Sequence, residues 1–153
     1  MTNLVCENIN TYFEEKELKK KYLKRYKKNE SCLIRLRNKL EALECKITSI
    51  KSTNYSCMPK SQISKTTSDL IDDKVDLEKR ILKLENRGKR LKEETYDIID
   101  TISDPKLVAV MECLFIELYN IDDAADILRL SNRQLLRRYK QALDLIELPK
   151  TED

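Results

Sequence analysis

Apolar side chains recur at alternating steps of three and four along two long stretches of the chain, which is the pattern of a coiled-coil seam. The first seam contains Leu33, Leu36, Leu40, Leu43, Ile47 and Ile50. The second contains Leu77, Ile81, Leu84, Gly88, Leu91, Thr95, Ile98 and Ile102. A segment rich in Ser and Thr that includes Pro59 separates them, and it predicts a loop at about residues 51–68. The two seams therefore predict a long antiparallel helical hairpin, a coiled coil, over residues 1–102.

The seams also suggest how the two helices pair. In the register that satisfies both heptad patterns, Leu36 lies near Ile81 and Asn29 faces Gly88. A register one heptad away remains open, and Gly88 is equally compatible with a local kink. Because a two-helix hairpin buries little apolar surface, a third element or a second copy of the chain must cover the rest, and we expect a homo-oligomer.

Residues 103–148 carry a shorter pattern. Ser103, Asp104 and Pro105 form a typical helix start, and Leu107, Met111, Leu114, Phe115 and Leu118 then follow one helical face. Two short amphipathic helices follow over residues 120–146, and the second begins at a capping Ser131. This order predicts a C-terminal helix-turn-helix module over residues 103–148, followed by a tail at residues 149–153.

The last predicted helix has a basic outer face. Between Ser131 and Gln141 the chain has four cations and no acid. Its apolar positions point inward and comprise Leu135, Tyr139, Ala142, Leu143 and Ile146. The predicted DNA-binding residues are Ser131, Asn132, Arg133, Gln134, Arg137, Arg138, Lys140 and Gln141. Asn side chains can bond adenine and Arg side chains guanine, whereas Arg138 and Lys140 are placed for phosphates. A basic amphipathic helix without a DNA role is the alternative.

Composition supports an all-α chain. Charged residues make up 37% of the sequence, which has one Gly and no Trp. The net charge of +3 is unevenly distributed: residues 16–28 carry eight cations and one acid, and residues 129–141 carry five cations. Such zones suit a polyanionic partner, although residues 16–28 contain nothing that specifies a DNA groove, and a solvated helix face is the alternative.

Composition also disfavours an enzyme. The chain contains no His, the commonest general base, and no phosphate-binding loop. Its five cysteines are scattered along the chain, and this pattern predicts free thiols. No catalytic residue, metal site or cofactor is therefore predicted. No apolar run is long enough to span a membrane, so no membrane partner is expected and a cytoplasmic location is the default.

The segment DDAADILRLSNRQLLRRYKQAL resembles the helix-turn-helix of the fourth region of sigma factors, including the Ala142–Leu143 pair. From about Leu18 onward the chain is similar to phage and prophage late-gene regulators of the RinA and ArpU group. The shared features are the N-terminal coiled coil, the motif Met58-Pro59-Lys60-Ser61, the segment 75–78 and the sigma-like end. Two positions differ from that pattern. Arg129 stands in a turn position usually filled by Gly or Asn, and Arg138 stands at a position that is usually apolar.

The resemblance implies sequence-specific binding to double-stranded DNA and control of a phage operon, with contact to RNA polymerase as a further possibility. The function predicted from the sequence is thus that of a non-enzymatic transcriptional regulator that reads DNA with helix 131–146. The alternative is a coiled-coil adaptor or scaffold that binds RNA polymerase or another protein without DNA specificity of its own.

Overall fold

The computed structural model describes residues 3–52 and 66–149 and contains five α-helices in this part of the chain. They are α1 (Asn3–Ser52), α2 (Thr67–Ile99), α3 (Pro105–Phe115), α4 (Ile121–Leu128) and α5 (Asn132–Leu145). No described residue lies in a β-strand, and the prediction of an all-α chain is confirmed. Most of the predicted loop at residues 51–68, including Met58-Pro59-Lys60-Ser61, lies outside the described residues, and so does most of the predicted tail.

Side-chain caps stabilise the N-terminal ends of α2 and α3. Before α2, the hydroxyl of Thr66 accepts from the backbone N–H of Asp69, whose carboxylate accepts from the N–H of Thr66. This reciprocal pair satisfies two donors that the first helical turn leaves open. Before α3, the Asp104 carboxylate accepts from the N–H of Lys106 at 2.9 Å, and Pro105 occupies the first helical position. Proline fits this position because its fixed φ matches the helix and because its missing N–H would have no partner within the helix.

The chain divides into two compact units. Unit 2 is contiguous and comprises Asn29–Gly88. Within it, the buried side chain of Asn29, which the seams place opposite Gly88, donates from Nδ2 to the backbone carbonyl of Leu84 at 3.0 Å. Two ion pairs of 2.7 Å also join α1 to α2, Arg37 with Glu85 and Lys74 with Glu44.

Unit 1 comprises Met1–Lys28 and Lys89–Asp153. Its main core joins the first part of α1, the end of α2, α3 and α5. The buried members are Leu23, Ile98, Ile99, Ile102, Leu107, Met111, Phe115, Ile116, Ala142, Leu143 and Ile146. Leu23 of α1 is fully buried there, so the C-terminal helices share their core with residues from the beginning of the chain.

A smaller core in the same unit holds α3, α4 and α5 together. It consists of Val110, Ala124, Ala125 and Leu135, all within 2% exposure. The two alanines allow α4 to approach its neighbours closely, since a larger side chain would hold the backbones apart. These four residues fix α5 against α4 and leave the opposite side of α5 facing solvent. None of the described helices is both long and apolar enough to cross a lipid bilayer.

Candidate nucleic-acid interface

The connection between α4 and α5 is a tight three-residue turn, residues 129–131, closed by backbone hydrogen bonds. The N–H of Leu130 donates to the carbonyl of Ala125 at 2.9 Å, and the N–H of Arg129 donates to that of Asp126 at 3.2 Å. This pair of bonds is the Schellman pattern that ends many helices. It reverses the chain direction within a few residues and places the start of α5 beside α4.

Arg129 has a left-handed backbone in this turn, with φ 53° and ψ 46°. A residue with a Cβ atom is destabilised there by roughly 1–2 kcal/mol, which explains why Gly or Asn would suit the position better. The left-handed backbone of Arg129 is therefore held by the two backbone hydrogen bonds and by the packing of Leu130 against the smaller core, rather than by the preference of arginine. The side chain of Arg129 is exposed.

Two of the predicted DNA-binding residues form the cap of α5. The Ser131 hydroxyl accepts from the N–H of Gln134 at 3.2 Å, and Oε1 of Gln134 accepts from the N–H of Ser131 at 3.1 Å. This capping box confirms Ser131 as the start of the helix. The Gln134 carbonyl oxygen is thus engaged within the protein, so a base contact by this side chain must come from its amide nitrogen.

Asn132 is also engaged within the protein. Its Nδ2 donates to Oδ1 of Asp122 at 2.6 Å, which ties the first residue of α5 to the first turn of α4. Bidentate recognition of adenine by asparagine needs both the donor and the acceptor of the carboxamide. Such a contact would require this bond to break, so Asn132 orients the start of α5 in the structure described here.

The solvent side of α5 carries the remaining predicted residues. Arg133, Arg137 and Lys140 are exposed and follow one face at helical spacing, with the exposed Gln141 beside them. Arg138 differs because it is half-buried, as is Tyr139. The inward positions Leu135, Ala142, Leu143 and Ile146 are buried, as the sequence predicts. The structure therefore brings three cations and one amide together on the outer face of α5.

The C-terminal end of α5 is held by α1. Lys16 forms an ion pair of 2.7 Å with Asp144, which also accepts from the Tyr12 hydroxyl at 2.9 Å. Lys19 donates to the backbone carbonyl of Leu143 at 3.1 Å. A cation at this position satisfies a carbonyl that has no partner within the helix, and it interacts favourably with the negative end of the helix dipole. Sequence reasoning missed this attachment, because no local pattern links residues more than 120 positions apart.

These contacts perturb the ionisation of both partners. Burial alone would raise the pKa of Asp144, but the hydrogen bonds from Lys16 and Tyr12 and the nearby charges of Lys16 and Lys19 hold that pKa below its ordinary value. The hydrogen bond that Lys16 donates to Asp144 raises the pKa of Lys16, and its hydrogen bond with Tyr12 raises that pKa further. Both groups are therefore charged across the neutral range, and the attachment of α1 to α5 is an ion pair.

A groove lies between α1, the α3–α4 connection and α5, with a volume of about 610 Å³. Lys20, Lys24 and Lys27 of α1 line one side. The other lining residues are Leu114, Phe115, Tyr119, Asn120, Ile121, Asp122, Leu136 and Tyr139. Leu136 is 38% exposed and lies on the α5 surface next to Arg133, Arg137 and Lys140, so the groove adjoins the basic outer face.

Cys113 of α3 has a perturbed pKa. Burial raises the pKa of the Cys113 thiol, and the charges of Glu112 and Glu117 raise it further, so this thiol is protonated at neutral pH. Across residues 3–52 and 66–149, no group of three or more acidic or Cys side chains is placed to hold a metal ion. The outer face of α5 presents exposed positive charge from Arg133, Arg137 and Lys140. No protein-family model matches the chain, and neither the curated proteins nor the solved structures give a significant match.

Proposed function

We propose that the chain is a sequence-specific DNA-binding transcriptional regulator, of the phage or prophage RinA and ArpU type, in which α4 and α5 form a helix-turn-helix and α5 enters the major groove. The observation that carries the proposal is the outer face of α5. Its cations Arg133, Arg137 and Lys140 are exposed, whereas the opposite face is fixed in the protein core. A helix of about 10–12 Å diameter fits a major groove about 12 Å wide.

The support of α5 favours the same proposal. A helix that reads bases must be held in one orientation, since recognition depends on the position of each side chain. Here α5 is capped by its own Ser131–Gln134 box, joined to α4 through Asn132 and Asp122, and held at its far end by Lys16 and Lys19. A basic helix that was only a solvated surface would not need three separate attachments.

The predicted DNA-binding residues receive different proposed roles, according to their side-chain chemistry and their position around α5. Arg133 and Arg137 have planar guanidinium groups that can bond guanine with two parallel bonds, and they are proposed to read bases. Lys140 and the half-buried Arg138 are proposed to contact phosphates, which position the protein without specifying sequence. Ser131, Asn132 and Gln134 are proposed to orient the start of the helix, and Gln141 lies on the same exposed face.

We further propose that α1 and α2 pair as an antiparallel coiled-coil hairpin that supports self-association. The contacts of Asn29 with Leu84 in unit 2, and of Arg25 with Glu94 in unit 1, are consistent with antiparallel pairing. Several large apolar side chains of these helices are exposed, including Ile34, Ile71, Val75 and Leu82. A second copy of the chain is the proposed cover for this surface.

The test is selection of DNA from a random double-stranded library by the purified chain, followed by affinity measurement on the selected sequence. We expect enrichment of a defined sequence. The double variant Arg133→Ala/Arg137→Ala should lose most of the preference for it, at about 1–3 kcal/mol for each lost base contact. The matched control Arg80→Ala/Arg87→Ala removes two exposed arginines of α2 and should bind as the wild type does.

Two results would contradict the proposal. One is the absence of any binding to duplex DNA at low salt, where electrostatic attraction is strongest. The other is an equal loss of affinity in the double variant and its control, because that would show only a general effect of charge. Sedimentation at two protein concentrations tests self-association separately.

A further inference from the structure

We infer that Lys20, Lys24 and Lys27 of α1 form a second DNA-contacting row, which binds the phosphate backbone beside the groove that α5 occupies. This inference rests on the proposed function and extends it to a segment outside the helix-turn-helix. It assigns a role to part of the basic stretch 16–28, for which the sequence alone offers no geometry.

The structure divides the cations of this stretch by their surroundings. Three of them serve the protein itself: Lys16 pairs with Asp144, Lys19 bonds the Leu143 carbonyl, and Arg25 pairs with Glu94 at 2.7 Å while it stacks on Tyr22. Lys20, Lys24 and Lys27 line the groove next to α5. These three cations of the basic stretch therefore lie beside the surface that adjoins Arg133 and Arg137.

The spacing of the row suits a DNA strand. Positions 20, 24 and 27 lie on one helical stripe and span seven residues, which is about 10 Å along the axis. A DNA strand presents a phosphate about every 3.4 Å of helix axis, so a row of this length can reach roughly three phosphates. Lysine side chains are flexible point charges, and they suit phosphates better than the fixed geometry of base edges.

The neighbouring acids do not oppose this role. Lys20 pairs with Glu17 at 2.7 Å, but the side chain of Glu17 is 71% exposed and that of Lys20 is 32% exposed. An ion pair this accessible to solvent contributes little, so a phosphate can replace the carboxylate. Asp122 lines the opposite part of the groove and accepts a hydrogen bond from Asn132. Its charge would repel a phosphate there, which favours placing the strand on the lysine side.

The experiment compares the salt dependence of binding to a labelled duplex of random sequence, which offers phosphates without selected bases. The variant is Lys20→Gln/Lys24→Gln/Lys27→Gln in the full chain. Each lost phosphate contact lowers the slope of log affinity against log salt by about 0.9, so we expect a decrease of roughly 2–3. The control Lys39→Gln/Lys46→Gln/Lys83→Gln removes the same charge from exposed positions in unit 2 and should change the slope by less than about 1.

Outcomes separate this inference from the proposed function. If the wild type binds no duplex at low salt, the proposed function fails. If the wild type binds and the triple variant keeps the wild-type slope, only the lysine row is overturned, and an acidic protein partner would become the better occupant of the groove. The sequence preference selected by the wild type should persist in the triple variant, because phosphate contacts carry no base information. A changed preference would also overturn the assignment.

Discussion

Asn29 and Gly88 are in direct contact: a Cβ atom placed on Gly88 would lie 2.9 Å from Nδ2 of Asn29. That nitrogen donates to the backbone carbonyl of Leu84, and the side chain is 6% exposed. The single glycine of the chain therefore gives a buried asparagine room to bond the neighbouring helix.

Gly88→Ala should destabilise the protein although alanine favours helix. The substitution gains about 1 kcal/mol of helix propensity. It also displaces the Asn29 amide, and a buried donor left without its partner costs about 1–3 kcal/mol. In an Asn29→Ala background only the flexible end of Glu30, 3.1 Å from the added Cβ, has to shift. The same substitution should then stabilise by up to about 1 kcal/mol. Urea unfolding of the two single variants and the double variant measures this coupling; equal effects of Gly88→Ala in both backgrounds would show that the contact has no energetic weight.

Replacement of Arg129 should separate backbone strain from side-chain function. Arg129→Gly removes a left-handed strain of roughly 1–2 kcal/mol and loses about 0.5–1 kcal/mol through the freedom of glycine in the unfolded chain. The net expectation is a stabilisation of up to about 1.5 kcal/mol relative to the wild type. Arg129→Ala is the matched control, since it removes the same side chain and keeps the strain. Thermal unfolding that ranks the alanine variant at or above the glycine variant would contradict the strain argument.

Leu23→Ala should weaken the C-terminal helices although residue 23 is far from them in sequence. Leu23 is fully buried in the core that contains Leu143 and Ile146 of the α5 region. Truncation of a buried leucine costs about 2–5 kcal/mol. We expect faster amide hydrogen exchange in α5 as well as lower global stability. Leu18→Ala, at a position 58% exposed on the same helix, is the control and should leave exchange in α5 unchanged; an equal effect of both variants would argue against the shared core.

The ion pair of Lys16 and Asp144 should make stability depend on pH in the acid range. The pKa of Asp144 is lowered in the folded chain, so its stabilising contribution is complete above the ordinary value of 3.8 and is lost as the pH falls through the lower folded pKa. The difference in unfolding free energy between the wild type and Asp144→Asn should therefore be largest near neutral pH and shrink below about pH 4. Because Asp144 is partly solvated, this difference should not exceed about 1 kcal/mol. Urea unfolding at a series of pH values checks it, and Lys16→Gln should remove most of the same pH dependence.

Local patterns predicted the helical class and the faces of several helices. The periodicity after Ser131 identified Leu135, Ala142 and Leu143 as buried, because a helix face is encoded by spacing alone. The serine itself was recognisable as a cap. Val110 was not among the predicted inward residues although it is fully buried, since it faces a neighbouring core that only the packing of α4 creates.

The attachment of α1 to α5 illustrates what the sequence could not provide. Lys16 and Lys19 belong to a run of cations that look alike in sequence, yet they bind the end of α5, whereas Lys20 and Lys24 line the groove. The difference depends on which turn of α1 meets which helix, and that is decided by tertiary packing. Likewise, the bond between Asn132 and Asp122 depends on the α4–α5 turn, and the sequence did not indicate this contact within the protein.

The contact between Asn29 and Gly88 has a consequence for the order of folding. These residues are the two ends of unit 2, which is contiguous in the chain, whereas unit 1 is assembled from segments on either side of it. Closing a loop on the order of 60 residues carries an entropic cost of roughly 3–4 kcal/mol, by the (3/2)RT ln n dependence. If unit 2 folds first, that loop is already closed. The two segments of unit 1 can then associate without the entropic cost of closing it. The contact of Gly88 with Asn29 thus lies where this loop closes, at the junction between unit 2 and the two segments of unit 1.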